Sequence, residues 1–171
     1  IGVELWSATS YKALRDEALA AERWNRLHPT DPQRTPLVAS LLADTTGPIV
    51  AVTDFMKIVP EQIARFVPGR QFVPLGTDGM GRSDTREALR RHFEVDAGHV
   101  VVAVLSARAA EGVASADEVR AAIARHGIDP DGVDPQTVRV RVNEGLFTFG
   151  DPSLDITELD ATHVQLTWSP P

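Results

Sequence analysis

The stretch from Leu75 to Asp96, LGTDGMGRSDTREALRRHFEVD, constrains the fold more than any other part of the chain. A short apolar run, Phe72 to Leu75, ends in three closely spaced glycines, Gly76, Gly79 and Gly81, and a charged helix start follows. A strand that passes through a glycine turn into a helix is the joint of an α/β unit. The rest of the chain repeats that alternation. Gly2 to Ala8 reads as a buried strand. Thr9 or Ser10 caps the next helix, whose face is Tyr11, Leu14, Ala18, Ala21 and Trp24. Pro29, Pro32 and Pro36 punctuate the following loop, and Thr35 to Ala43 suits a short helix. Pro48 to Thr53, PIVAVT, is a β-branched run between turn signals, hence a second buried strand. A broken helix follows, with Pro60 opening its second part and Gly69 ending it, and Phe72 to Leu75 is the third strand.

Beyond the turn, Asp84 with Glu87 resembles a capping box over a face of Leu89 and Phe93. Asp96 caps a helix whose face is Val100, Ala103, Val104 and Ala107. Ser115 with Glu118 forms a further capping box, and Gly127 followed by Pro130 is a helix stop. The expected fold over residues 1–137 is therefore α/β and three-layered, with a mostly parallel sheet covered on both faces. After Asp129–Pro135 the character changes. Val138, Val140 and Val142 alternate with Arg139 and Arg141, Asn143-Glu144-Gly145 suits a hairpin loop, and Leu146 to Phe149 can pair back. His163 to Trp168 is another strand candidate, with Val164, Leu166 and Trp168 on one side. Residues 138–171 thus read as a β-hairpin appendage of unknown affiliation, expected to lend strand pairing to the core because so small a hairpin is marginal alone.

Acidic residues outnumber basic ones by 24 to 17, for a net charge of −7, which argues against general nucleic-acid binding. No apolar run approaches the roughly 20 residues of a membrane span, and no signal-peptide pattern opens the chain. The absence of cysteine excludes disulfides, thiolate chemistry and Cys-type zinc sites, and fits a cytoplasmic protein. Two lysines against fifteen arginines fit a GC-rich bacterial coding sequence.

The glycine turn is the first candidate site. Arg82 and Arg86 would favour an anion at a strand-to-helix turn, but Asp78 and Asp84 would repel it. The Gly-Lys-Ser/Thr of a phosphate loop is missing, and Asp84 stands where a dinucleotide fingerprint wants a small residue. A structural corner needing positive φ, held by an Asp/Arg network and docking a neighbouring domain, accounts better for Asp78, Gly79, Gly81, Arg82, Asp84, Arg86 and Glu87. Ser83, with Asp117 and His126 downstream, has the chain order of a hydrolase triad. Thr85, however, occupies the position where the nucleophile elbow needs a small residue. His92 and Glu94 form a His-x-Glu pair with no cysteine to complete a deaminase zinc site. His92 and His99 lack the i, i+4 spacing of a helical metal pair. Glu22, Arg23, His28, Asp54 and Lys57 suit ion pairs across domains or a solvated surface.

Three blocks, WSATSYKALRDEALAAERWNRLHP (Trp6 to Pro29), VTDFMK (Val52 to Lys57) and the Leu75–Asp96 stretch, occur in an order and spacing that resemble one family. That family is the homodimeric type of the pyruvate-decarboxylating subunit of the pyruvate dehydrogenase complex, and the likeness runs to about Thr137. It implies the last domain of a longer enzyme, similar to the C-terminal domain of transketolases, with that domain's first strand and helix missing before Ile1. The full enzyme of the family decarboxylates pyruvate on thiamine diphosphate and magnesium, then acetylates the lipoyl arm of the acyltransferase component. Its cofactor lies between the first two domains of paired chains, and the last domain packs against them and helps form the dimer. The family's Gly-Asp-Gly and Asn-Asn ligands have no counterpart here, since the asparagines are Asn25 and Asn143 alone. The resemblance therefore implies no catalytic, cofactor-binding or metal residue in this chain. The implied partners are the enzyme's other domains, a second copy and the acyltransferase. The competing expectation is a stand-alone, non-enzymatic module that binds a protein through its β tail.

Overall fold

The structure is a computed structural model that describes residues 2–79, 81–136, 153–160 and 163–169, the last two spans as backbone only. The chain divides into two units, residues 1–137 and 138–171. In the first unit the Ser10 hydroxyl accepts the Ala13 amide at 3.1 Å and starts α1 (Tyr11–Leu27). The face expected for this helix turns inward, with Ala18 and Ala21 buried and Tyr11, Leu14 and Trp24 half-buried. Next come α2 (Leu37–Leu41), β1 (Ile49–Val52), α3 (Ile58–Glu61) with a 3-10 turn at Ala64–Phe66, and β2 (Phe72–Leu75). Pro60 lies inside α3 rather than at the start of the second piece.

Strands β1 and β2 pair in parallel, with Ile49 opposite Phe72 and Val52 opposite Leu75. The Ile49 and Thr53 amides donate to Gln71 and Leu75 carbonyls at 2.8 and 2.9 Å. Pro74 is partnered with Ala51. By the period of two its missing donor points away from β1, so the ladder loses nothing. Ala18, Val38, Ile63, Phe66 and Val67 form the buried core, and Ile49 and Phe72 pack against it. Burying a side chain the size of Phe66 contributes about 1.5–3 kcal/mol, so this cluster is what holds the helices to the sheet.

The helical part continues with α4 (Arg86–His92), α5 (Ala97–Ala110) and α6 (Ala116–Arg125). Asp96 caps α5 as expected, its Oδ1 accepting the His99 amide at 2.9 Å and facing the His99 ring at 2.8 Å. Its other oxygen accepts Arg91 at 3.2 Å. Burial would raise the Asp96 carboxyl, but the bonds from His99 and Arg91 outweigh it and hold the pKa below the ordinary value. The Ser115–Glu118 capping box is complete, and Gly127 takes φ +57 just past α6. A Cβ on Gly98 would lie 3.0 Å from His126 Cβ, so the missing side chain lets α5 and the end of α6 approach closely.

Two expectations are corrected. The cap of α4 is Thr85, whose hydroxyl accepts the Ala88 amide at 3.3 Å; Asp84 instead accepts the Thr85 amide at 2.7 Å. Glu87 is then one residue too early for a capping box. Gly2–Ala8 forms no strand: the segment is exposed, with Leu5 at 97% and Trp6 at 52%, and has no backbone hydrogen bond among the described residues. The sheet of the first unit accordingly shows two parallel strands.

In the second unit β3 (Ser153–Asp160) and β4 (His163–Ser169) pair antiparallel, Leu154 opposite Trp168 and Ile156 opposite Leu166. The candidate strand at 163–168 falls within β4, whereas the sequence reading contains no counterpart of β3. The expected strand at 138–142, its loop and its return at 146–149 lie outside the described residues.

Candidate functional site

Because β1 and β2 are parallel, their carboxyl ends lie side by side, and the loops leaving them meet. Such strand ends are where open α/β sheets present functional groups. Four hydrogen bonds build this corner. The Thr77 amide donates to the Phe55 carbonyl and the Thr77 hydroxyl to the Asp54 carbonyl, both at 2.9 Å. The Lys57 amide donates to Asp78 Oδ2 at 2.9 Å, and the Phe55 amide to Thr53 Oγ1 at 3.1 Å.

Glycine is required at two positions for different reasons. A Cβ on Gly76 would lie 2.5 Å from the Phe55 carbonyl oxygen, so the two loops could not meet. Gly79 has φ +105, and a Cβ there would lie 2.0 Å from the Pro135 carbonyl oxygen. The expected positive φ at Gly79 is present. Gly81 has no positive φ, and no atom lies within 4 Å of the place a Cβ would take.

The charged residues are arranged differently from the Asp/Arg network expected. Arg82 Nη1 lies 3.1 Å from His92 Nδ1, which must accept because a guanidinium only donates. Arg86 and Glu87 are exposed, and none of the seven expected residues forms an Asp–Arg pair with another among the described residues. The nearby Arg90–Asp54 pair, at 4.0 Å, links α4 to the loop after β1. Arg82, Arg86, Arg90, Asp54 and Asp84 rim a groove of about 560 Å³ with Leu89 and Phe93 in its lining.

Beside the corner, Phe55, Met56 and Ile58 are 69%, 56% and 61% exposed, and Val52 is exposed too. Contiguous apolar surface edged by charge marks a place where another surface packs. Sequence reasoning passed over Phe55 and Met56; an apolar pair set between Asp54 and Lys57 just after a strand was the available signal.

The competing chemistries are not assembled. Ser83 is exposed in the segment before α4, Asp117 pairs with Arg120 at 3.0 Å, and His126 caps α6 against Gly98. Among the described residues no three potential ligands cluster to hold a metal ion. Glu22 pairs with Arg65. The His28 ring stacks on Trp24 at 3.6 Å, and Arg34 lies 3.7 Å from the same indole. A diphosphate–magnesium ligand set does not fit this corner. Asp78 is engaged by the Lys57 amide, and Asn25 is bonded on both sides to the Arg34 backbone.

The transketolase-like C-terminal domain family matches residues 1–96. The pyruvate dehydrogenase E1 component of Pseudomonas aeruginosa is 47% identical over 135 residues, 79% of this chain and 15% of that protein. That of Haemophilus influenzae is 51% identical over 132 residues, 77% of this chain and 15% of the relative. The Mycolicibacterium smegmatis protein of the same name is 47% identical over 129 residues, 75% and 14% of the two chains. The chain thus spans about 15% of the length of these relatives.

Proposed function

Since the chain belongs to the transketolase-like C-terminal domain family, we propose that residues 1–137 are the structural and assembly domain at the C-terminal end of a bacterial pyruvate dehydrogenase E1. The observation that carries this reading is the 47% and 51% identity to E1 components over nearly four-fifths of the chain. The parent enzyme decarboxylates pyruvate on thiamine diphosphate and magnesium and acetylates the lipoyl group of the acyltransferase component, in the cytoplasm. This segment supplies none of the cofactor's ligands. Its two parallel strands belong to a larger three-layer α/β domain in that enzyme, and β3 and β4 add an antiparallel pair later in the sequence.

The strand-end corner is the docking surface. Phe55, Met56 and Ile58 offer apolar area to the enzyme's other domains or to a second copy, while Arg82, Arg86 and the Arg90–Asp54 pair set the register. Asp78 and Gly79 hold the corner's shape. Apolar area supplies the drive for such an interface and the charges supply specificity. Titrating thiamine diphosphate with magnesium into the chain, followed by a pyruvate turnover assay, tests the non-catalytic part. No saturable heat and no turnover are expected; micromolar binding or turnover by the chain alone contradicts it.

A further inference from the structure

Helices α4, α5 and α6 end in the same backbone motif, and only at α4 is the left-handed position not a glycine. After α5 the Gly112 amide donates to the Ala109 carbonyl and the Val113 amide to the Arg108 carbonyl, both at 2.9 Å. After α6 Gly127 and Ile128 repeat the pair on Ala124 and Ile123 at 3.1 and 3.0 Å. After α4 Glu94 and Val95 repeat it on Arg91 and Arg90 at 3.3 and 2.9 Å. The first residue past the cap turns left-handed in this motif, which is why glycine is usual there. Gly112 and Gly127 take φ +74 and +57. Glu94 takes φ +59 and is the one non-glycine residue at positive φ among the described residues. A side chain in that conformation crowds its own backbone.

No contact within the unit offsets this strain. Glu94 is exposed, and its carboxylate has no hydrogen bond or ion pair among the described residues. The arginines of the preceding turn are engaged elsewhere, Arg90 with Asp54 at 4.0 Å and Arg91 with Asp96 at 3.2 Å and with the Gly127 carbonyl. Phe93 and Val95, on either side of Glu94, are buried and line the groove of the strand-end corner. Backbone strain that persists at an exposed charged residue beside a docking surface points to a contact made outside the unit.

We propose that Glu94 is a specificity-determining contact of the docked enzyme, its carboxylate receiving a guanidinium or ammonium group from the surface that covers the groove. This rests on the docking reading of the corner given above. The partner group is a cation because an ionised carboxylate only accepts hydrogen bonds, and the neighbouring arginines are already committed. Such a pair fixes register and disfavours wrong surfaces, so the residue trades this domain's own stability for fit.

The test compares the isolated 171-residue chain with the Pseudomonas aeruginosa E1 component in which this chain's aligned residues replace the matching segment. Docking is read as slower hydrogen exchange of the peptide covering residues 53–58 in the chimera than in the isolated chain. Glu94→Gln keeps the strain and removes the charge. It should leave the isolated chain's melting temperature within about 1 °C while speeding that exchange in the chimera on the order of fivefold. High salt should shrink the difference. Glu94→Gly relieves the strain and removes the contact, so it should raise the isolated chain's melting temperature by about 2–4 °C and still loosen the chimera. If Phe55→Ser with Met56→Ser speeds exchange in the chimera but Glu94→Gln does not, the assignment of Glu94 fails alone. A Glu94→Gly chain no more stable than the parent would also overturn it, since no stability would then have been traded. If the 53–58 peptide exchanges equally fast in the chimera and the isolated chain, the docking reading fails and takes this inference with it.

Discussion

At the scale of single residues, the corner depends on backbone geometry that side chains would obstruct. Gly79→Val meets both a positive φ and the Pro135 carbonyl, and should cost at least about 2 kcal/mol. Gly76→Val meets the Phe55 carbonyl and should cost a comparable amount. Gly81→Ala should stay within about 0.5 kcal/mol, because its surroundings are open. Thermal unfolding of the three variants without ligand checks the contrast. Equal losses would mean that the turn acts as a whole and not through particular close approaches. The demand at Gly79 was legible, since a glycine between strand and helix implies a left-handed residue. The demand at Gly76 was not, because it comes from the Phe55 backbone, distant in sequence.

Asp96 gives a pH signature at the same scale. Its folded pKa lies below the unfolded one, so its stabilisation is fully present above the ordinary carboxylate value of about 3.9 and is lost as pH falls through the folded value. Asp96→Ala should therefore lower the melting temperature at neutral pH by the equivalent of about 1 kcal/mol, a typical capping loss. The gap to the parent protein should close as the solution is acidified below pH ~4. A gap that stays constant through that range would show that the carboxylate's charge is not what matters.

At the scale of elements, caps were legible where one capping residue directly precedes a periodic run, as at Ser10, Asp96 and Ser115. They were not at α4, where Ser83, Asp84 and Thr85 are three candidates in a row and only the helix geometry selects the third. Thr85→Ala should cost about 1 kcal/mol, measured by denaturant unfolding, and Asp84→Ala clearly less. The apolar run at Gly2–Ala8 is strand-like in composition, but a strand also needs a neighbour. Pairing is a property of other segments, and here none reaches it among the described residues. The loop after β1 poses the converse case: Phe55 and Met56 are apolar yet exposed. Phe55→Ser with Met56→Ser should leave the melting temperature nearly unchanged while weakening attachment to the remainder of an E1 chain. A large drop in melting temperature would instead assign that pair to this domain's own stability.

At the scale of the whole molecule, the family was carried by three blocks of sequence, while the fold explains what those blocks do. The first builds α1, whose face closes the core, and the other two supply the loops that meet at the carboxyl ends of the parallel strands. The docking role proposed for that meeting point was only half legible. The glycines and charges were visible in the sequence, but that Phe55, Met56 and Ile58 stay exposed beside them is seen only in the folded structure. The central claim is that this segment completes an E1 without contributing to its chemistry. The most direct test exchanges the matching segment of the Pseudomonas aeruginosa E1 component for the 135 aligned residues of this chain and measures pyruvate turnover. Turnover of the same order as the unmodified enzyme, lost when Phe55→Ser and Arg82→Ala are introduced together, is the predicted result. A folded, cofactor-loaded chimera that does not turn over pyruvate, or one indifferent to those two changes, would contradict the account.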